Sequence, residues 1–323
     1  MWQVIFKSFL SLILLMLSQT TWADDTVVNP NVDMGLYVNR IQSISPKNGS
    51  FTADLSIWFR WKGDQISPNK TFRLKNAKIE FKRDTYVAKM SDGATNYAYM
   101  EIVATFTTPW YIEHFPFGEQ VLKIEIEEDA TDVSEIRYRA DTANMTVNPN
   151  IEIQGWKVSA VKDWVSETIY NSNFGDTSIA DRIQTRYTQF NYEVMIKPKS
   201  NYIELKLFVT PVVCMLILCF LLVLPAKETP RFVLCSATIF ALVTSHYLIV
   251  TQLPSSEQIS FAEKFVLAAL LQSLVYLIGT IFAWRELEAG DALRSKKYDR
   301  IVLVMLIASN ICLFVYTVME YFV

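Results

Sequence analysis

Residues 227–254 read KETPRFVLCSATIFALVTSHYLIVTQLP, and this stretch decides the fold of the chain. It is long and apolar enough to cross a membrane, yet it carries Ser236, Thr238, Thr244, Ser245 and His246. In membrane proteins such polar groups face a bundle interior or water. We therefore interpret the stretch as a helix that lines a pore. The alternative is a buried bundle helix whose hydroxyls bond back to the carbonyls of their own helix.

Helical spacing from Glu228 defines the candidate pore face. The positions on this face are Glu228, Phe232, Ser236, Ile239, Phe240, Val243, Tyr247 and Val250. An acid attracts cations, and a run of apolar side chains can close a pore by dewetting. A face shifted by one residue would instead contain Cys235, Thr238, Leu242 and Ser245.

Apolar segments flank this helix on both sides. We expect four membrane spans, at about residues 202–224, 228–252, 261–284 and 300–323, each near the ~20 residues that cross a bilayer. Lys and Arg are concentrated in the links that follow the first and third spans, and the link after the second span has none. Positively charged links stay in the cytoplasm, so this pattern puts both the N-terminal part and the C-terminus outside.

Residues 1–23 have the pattern of a secretory signal peptide, with Lys7 before an apolar run and a small residue, Ala23, at the expected cleavage site. A signal anchor is the competing interpretation. Cleavage would export residues 24–200. All four cysteines lie in residues 201–323, so the exported domain is predicted to hold no disulfide.

Residues 24–200 alternate apolar and polar side chains with a period of two. Residues 51–62 show it best, and Asn48-Gly49 before them marks a tight turn. Further strand-like runs are residues 35–45, 71–82, 97–107, 120–127, 135–140, 151–165 and 183–196. About ten short strands predict an immunoglobulin-like antiparallel sandwich. The predicted fold is thus an all-β extracellular sandwich followed by an all-α four-helix transmembrane domain.

Two connecting segments of the sandwich are unusual. Residues 108–120 read TPWYIEHFPFGEQ, a loop dense in aromatic residues and proline. Such apolar clusters mark contact sites, although a loop that caps its own sandwich would have the same composition. Residues 166–182 form a long predicted link that contains Tyr170 and Phe174. Long links between strands are often binding elements, and a surface hairpin is the alternative.

Titratable residues give weaker signals. His114 and His246 are the only histidines, which makes proton gating a hypothesis, with a neutral hydrogen-bonding role as the alternative. Five acids crowd a predicted strand end: Glu125, Glu127, Glu128, Asp129 and Asp132. They suit either a calcium site or, as we prefer, a solvated strand edge that discourages sheet pairing.

Composition argues against several function classes. A net charge of −3 gives no basic surface for nucleic acid. The exported domain has one histidine, no cysteine and no G-x-S-x-G motif, which disfavours a membrane-anchored enzyme. We therefore predict no enzyme, no catalytic residue, no cofactor and no metal site.

Residues 115–120 read FPFGEQ. This loop resembles the aromatic-Pro-Phe-Asp-x-Gln loop of the pentameric ligand-gated ion channels, the Cys-loop receptor superfamily, and its lack of flanking cysteines is similar to the prokaryotic branch. Gly155-Trp156, Pro211 and Leu253-Pro254 match further family features in the right order. The resemblance covers about residues 35–323.

The resemblance implies a homopentamer whose second helices surround the pore. Residues 108–120 would press on residues 253–260 and on the two lysines before the first span. The coupling residues would be His114, Phe115, Pro116, Phe117, Lys197, Lys199, Leu253 and Pro254. Tyr170 and Phe174 would bind the ligand, and aromatic rings suit a small amine.

The implied partners are further copies of the chain, a small-molecule or proton agonist, inorganic ions and lipid. The implied location is a bacterial inner membrane, with the N-terminal domain and the C-terminus in the periplasm. A non-conducting sensor or scaffold of the same architecture is the rival function.

The chain also departs from the family pattern. Gly118 stands where the family has an acid, and Lys197 stands where it has an arginine before the first span. The region 63–100 is short and has no Trp-x-Pro loop. Pro225-Ala226 looks like the dipeptide of the anion-selective branch, whereas Glu228 favours cations. Between these opposing signals we favour a cation channel.

Overall fold

The computed structural model describes residues 31–175, 184–199, 202–254 and 258–321. The predicted signal peptide, residues 1–23, lies outside them. The described residues form a sheet-rich N-terminal part and a helical C-terminal part. The sequence-based prediction of a β-sandwich followed by apolar helices is confirmed at this level.

Ten strands form two sheets in the described residues. The strands are β1 Asn31–Ser45, β2 Ser50–Lys62, β3 Phe72–Leu74, β4 Ala77–Lys89, β5 Thr95–Thr107, β6 Gln120–Glu128, β7 Arg137–Ala140, β8 Thr146–Val147, β9 Trp156–Tyr170 and β10 Thr185–Pro198. One sheet has the order β4-β5-β2-β1-β7, with β8 also paired to β1, and the other has the order β3-β6-β10-β9. The inward-facing residues of both sheets form the sandwich core.

The period of two in β2 sets the register of the first sheet. Leu55, Ile57 and Phe59 are buried, and the backbone of β2 pairs with β1 on one side and with β5 on the other. The turn before β2 closes with a hydrogen bond of 3.0 Å from Gly49 N–H to Pro46 O. Gly49 has φ of 55°, which glycine adopts without steric strain. The predicted Asn-Gly turn therefore joins the first two strands.

The predicted strand 71–82 is wrong as a single element. β3 pairs with β6, whereas β4 pairs with β5 in the other sheet, so the chain crosses between sheets at Lys75 and Asn76. The side chain of Asn76 donates to Thr107 O at 3.0 Å and to Lys123 O at 2.9 Å. These bonds tie the crossing to both sheets. Alternation of side chains does not reveal a change of partner strand.

The predicted link 166–182 is also shorter than expected. β9 continues to Tyr170 and β10 begins at Thr185. Tyr170 is therefore a strand residue that pairs with Thr185, and Phe174 lies in the connection. Residues 176–183 of this connection lie outside the described residues.

The helices are α1 Pro68–Thr71, α2 Tyr202–Leu221, α3 Thr229–Gln252, α4 Phe261–Glu288 and α5 Ala292–Tyr321. In the described part of the chain, three helices are long and apolar enough to cross a membrane, namely α3, α4 and α5 through Glu320. The chain is thus a candidate membrane protein. The described apolar part of α2 is the shorter segment Lys206–Leu221. The predicted span at residues 202–224, which would bring the number of spans to four, therefore stays a prediction.

The predicted link between residues 285 and 300 is mostly helical, so the helix that contains the predicted span 300–323 begins before residue 300. α4 runs on to Glu288 and α5 begins at Ala292. Asp291 Oδ1 accepts a hydrogen bond of 2.9 Å from Arg294 N–H in the first turn of α5. The charged residues of this segment led to the prediction of a loop. A helix can, however, continue beyond its apolar part into a charged segment.

The last two helices approach closely at Gly279. A β-carbon added there would lie 2.1 Å from Val302 Cγ2 of α5. Small residues let membrane helices approach in this way. At its start, α4 has a capping box in which Ser260 and Glu263 bond to each other's backbone. The capping box defines the start of α4, and the approach at Gly279 packs α4 against α5.

Candidate functional site

Helix α3 has one buried side and one exposed side. The buried residues are Arg231, Cys235, Thr238, Leu242 and Ile249. Three of the four residues on the shifted face, Cys235, Thr238 and Leu242, are among them, and they pack inside the helices of their own chain. In this arrangement the shifted face is directed away from solvent.

The other side of α3 carries most of the predicted pore face. Phe240 is 75 % exposed. Also exposed are Glu228, Ser236, Val243, Tyr247 and Val250, whereas Phe232 and Ile239 are half-buried. Thr229 and Val233 are exposed on the same side, and sequence reasoning missed them. A helical wheel centred on Ser236, rather than steps of four from Glu228, would have included both.

The hydroxyls of α3 bond to their own helix. Ser236 Oγ donates to Phe232 O at 3.0 Å, and Thr244 Oγ1 donates to Phe240 O at 2.9 Å. This is the bonding that the buried-helix alternative predicts, but Ser236 and Thr244 lie on the exposed side. Each oxygen keeps its lone pairs after donating its proton. Ser236 and Thr244 therefore present acceptor oxygens, and no free hydroxyl proton, on the exposed side of α3.

Of the three charged residues near the start of α3, one is buried and two are exposed. Arg231 is 0 % exposed, and its guanidinium donates to Asp299 Oδ1 at 2.9 Å and to Leu221 O at 3.1 Å. Its charge is thus neutralised between helices. Lys227 and Glu228 are exposed, and Glu228 occupies the N-cap position.

Loop 108–120 contacts the start of α4. Phe261 N–H donates to Glu113 O at 3.0 Å, and Ala262 N–H donates to Phe115 O at 3.2 Å. The ring of Phe117 lies 5.4 Å from that of Phe261, and Pro116 is buried. These loop carbonyls accept from N–H groups in the first turn of α4, which have no partner within the helix.

Loop 108–120 also contacts the C-terminal end of α5. His114 Nδ1 lies 2.6 Å from Glu320 Oε2 of α5. The Glu320 side chain is 12 % exposed and that of His114 is 39 % exposed. The two residues are 206 positions apart. Sequence reasoning singled out His114 and could not find Glu320, because no local pattern links them.

Gly118 has a steric explanation. A β-carbon there would lie 3.2 Å from His114 Cβ, which is tighter than most van der Waals contacts. The chain turns closely here, with Phe117 N–H donating to His114 O at 2.8 Å. An acidic side chain at position 118 would press on His114.

The other predicted coupling residues lie at or just after the ends of α3 and β10. Leu253 is buried and Pro254 is half-buried, while residues 255–257 lie outside the described part. Lys197 is exposed and pairs with Lys157 across the sheet, and Lys199 N–H donates to Gly155 O at 2.9 Å. Within the described ranges neither lysine forms an ion pair.

A second polar cluster surrounds Tyr170 on the sheet that contains β9. Glu127 is 0 % exposed, and its carboxylate accepts from Arg73 at 2.6 Å and from the Tyr170 hydroxyl at 2.9 Å. The Tyr170 ring lies 5.4 Å from Phe174 and 5.8 Å from Tyr187. The two residues predicted to bind the ligand are therefore adjacent.

Positively charged side chains of the protein already contact part of this cluster. Lys75 Nζ lies 5.7 Å from the centre of the Tyr170 ring and 3.7 Å from Glu127 Oε1. Arg73 Nη2 donates to the Tyr170 hydroxyl at 3.0 Å. Burial, together with the hydrogen bond to Glu127, raises the pKa of Tyr170. Sequence reasoning did not place Arg73, Lys75 or Glu127 beside Tyr170, because these residues are distant from it in the chain.

The interpretation of the acidic cluster as a solvated edge is wrong for Glu127 and Glu128, because both are buried. Tyr138 donates to Glu128 Oε2 at 3.0 Å, and burial raises the pKa of Glu128. Among the described residues, no group of three or more His, Cys, Asp or Glu side chains is placed to hold a metal ion.

No protein-family model and no curated protein matches the sequence.

Proposed function

We propose that this chain is the subunit of a homopentameric ligand-gated ion channel whose pore is lined by α3. The observation that carries the proposal is the exposed side of α3, where Ser236 and Thr244 alternate with large apolar residues such as Phe240. Polar groups on a membrane helix face a bundle interior or water. Several copies of the chain around an axis would bring this side to a shared interior.

The fold-level features agree with the channel architecture. A sheet-rich part precedes at least three apolar helices, and FPFGEQ lies in the loop that contacts the helices. This arrangement is the one that the resemblance to pentameric channels implies. The distribution of Lys and Arg supports an orientation with the sandwich outside the cytoplasm, which in the proposed bacterial inner membrane is the periplasm.

Cation selectivity is supported by the charges that remain exposed. Arg231 is neutralised by Asp299 inside the helices and adds no positive charge to the exposed side. Glu228 is exposed at the first turn, and the exposed Ser236 oxygen offers lone pairs after donating to Phe232 O. Rings of carboxylates and acceptor oxygens favour cations. Lys227 beside Glu228 is the opposing charge.

Coupling between ligand and pore would pass through loop 108–120. Its carbonyls bind the start of α4, and His114 binds Glu320 of α5. A ligand opens the pore only if it binds the open state more tightly than the closed state. The Tyr170 cluster is the proposed ligand site, and its aromatic rings suit a small amine.

The test is to reconstitute the purified protein in planar bilayers and record current during pH steps and additions of small amines. We expect gated current whose preference for cations weakens in Glu228→Gln. The matched control is Glu119→Gln, an exposed acid on loop 108–120. Silence from protein shown to be pentameric, across every pH and amine, would contradict channel function and favour the non-conducting sensor.

A further inference from the structure

The side chain of Arg231, in the first turn of α3, contacts each of the other three long helices. Its Nε–H donates to the carbonyl oxygen of Leu221, the last residue of α2, at 3.1 Å, and its Nη2–H donates to Asp299 Oδ1 of α5 at 2.9 Å. Its guanidinium carbon lies 6.0 Å from the centre of the Tyr276 ring of α4. The Arg231 side chain is 0 % exposed and that of Asp299 is 22 % exposed. One buried cation of α3 is therefore shared between α2, α4 and α5.

The charge of this buried guanidinium is balanced by one residue. Taking a charge out of water is costly, and an ion pair offsets the cost only when the partner is well placed. In the described part of the chain, Asp299 is the single acid whose oxygen lies within 4.0 Å of an Arg231 nitrogen. Leu221 O is one of the last carbonyls of α2, which lack a partner within that helix, and it contributes a hydrogen bond but no charge. Neutralisation of Arg231 thus depends on α5.

The Arg231–Asp299 pair is close to the acid that we propose selects cations. Arg231 follows Glu228 by three residues, which corresponds to about 4.5 Å along a helix axis. Water and salt screen a buried charge much less than an exposed one. An unbalanced charge at Arg231 would therefore change the electrostatic potential at the end of α3 where Glu228 is exposed.

We propose that Asp299 is a determinant of charge selectivity, although it lies on α5 and not on the exposed side of α3. This inference rests on the proposed channel function. In the unmodified chain the charges of Arg231 and Asp299 cancel, and the exposed Glu228 favours cations. Without the Asp299 carboxylate, each copy of the chain would add one positive charge near Glu228, and a ring of copies would repeat it around the pore. Asp299 acts through Arg231 and does not need to contact the permeating ion.

The test measures the ratio of cation to anion permeability of the reconstituted pentamer, from the reversal potential under a salt gradient. We expect Asp299→Asn to lower this ratio at least about fivefold and Arg231→Gln not to lower it. The double variant, which removes both charges, should have the ratio of the unmodified chain. A purely structural disturbance of the helix contacts would lower the ratio in both single variants, whereas charge balance predicts a loss in Asp299→Asn alone.

The matched control is Glu288→Gln, which removes an exposed acid at the end of α4. Water and salt screen an exposed charge, so we expect less than about a twofold change in the ratio. The inference would be overturned by an unchanged ratio in Asp299→Asn, by a double variant whose ratio is as low as that of Asp299→Asn, or by an equal effect of Glu288→Gln.

Asp299→Asn leaves a buried cation unpaired, so this variant could fail to assemble. In that case a lowered ratio in Arg231→Gln or in the double variant overturns the inference, and the ratio of the unmodified chain in the double variant supports it. Silence from the unmodified pentamer would contradict the proposed function, and this inference with it. Current from the unmodified pentamer with the same permeability ratio in every variant would contradict this inference alone.

Discussion

Helices α3 and α5 are both exposed along much of their length in a single chain, but their exposed sides differ in chemistry. That of α3 carries Ser236 and Thr244 between apolar residues. That of α5 carries large apolar side chains throughout its middle: Val304, Met305, Ile307, Ile311, Phe314 and Val315. An all-apolar surface suits lipid, and a surface with hydroxyls suits water or protein. Exposure alone therefore does not tell what a membrane helix faces, whereas exposure combined with side-chain type does.

We expect the largest effect when a charged side chain is introduced on the exposed side of α5 rather than on that of α3. Ile311→Lys places an ammonium on the apolar side of α5, which costs about 3 kcal/mol in a bilayer. Phe240→Lys makes the same change on α3, where we expect a much smaller loss because in the proposed pore this side chain would meet water. The measurement is the yield of folded protein extracted from membranes. Equal losses for the two variants would contradict the contrast.

The second-largest effect is expected where α4 packs against the inner side of α5. Gly279→Ala would place a β-carbon 2.1 Å from Val302 Cγ2, and we expect it to destabilise the protein by about 2 kcal/mol. Adding Val302→Ala should recover part of this loss because it removes the methyl that clashes. Thermal unfolding in detergent measures both. A Gly279→Ala protein as stable as the unmodified chain would show that α4 and α5 are farther apart.

A smaller effect concerns the contact between α5 and the sandwich. We expect His114→Gln and Glu320→Gln to lower stability by about 1 kcal/mol each, and the double variant to lose less than the sum, because both remove one 2.6 Å contact. Denaturant unfolding measures the three losses. Glu119→Gln on the same loop serves as control. Strict additivity would mean that the two side chains do not interact.

The smallest effect lies in the sandwich and depends on pH. Burial raises the pKa of Glu128 above 4.5, so the folded state binds its proton more tightly than the unfolded state. This group therefore favours folding at low pH, and its contribution is lost as pH rises from about 4.5 through the folded-state value. Glu128→Gln should raise stability at pH 7 by up to about 1 kcal/mol and leave it unchanged near pH 4. A benefit that is the same at both pH values would contradict this assignment.

Local patterns in the sequence predicted much of the fold. The alternation in residues 51–62 corresponds to β2, and residues 228–252 correspond to α3 to within one residue. These elements have one dominant period, which the sequence records directly. The split at residues 75–76 was missed because alternation continues while the partner strand changes.

The candidate sites were harder to predict because they depend on contacts between distant residues. Tyr170 was selected from its place in the chain, but Glu127 and Arg73 join it only through the pairing of β3, β6, β9 and β10. Burial of Glu127 and Glu128 likewise depends on neighbouring strands. An acid-rich segment is expected to be solvated until its partners are known, which is why the solvated-edge interpretation was wrong for these two residues.

The most direct test of the account is the accessibility of α3 to water. Ser236→Cys and Ile311→Cys are treated, in open membrane fragments, with a charged thiol reagent that does not enter lipid, and modification is measured by mass spectrometry against the unmodified chain. We predict that Ser236→Cys gains a label and that Ile311→Cys gains none. Labelling of Ile311→Cys without labelling of Ser236→Cys would contradict the assignment of α3 to a water-filled pore.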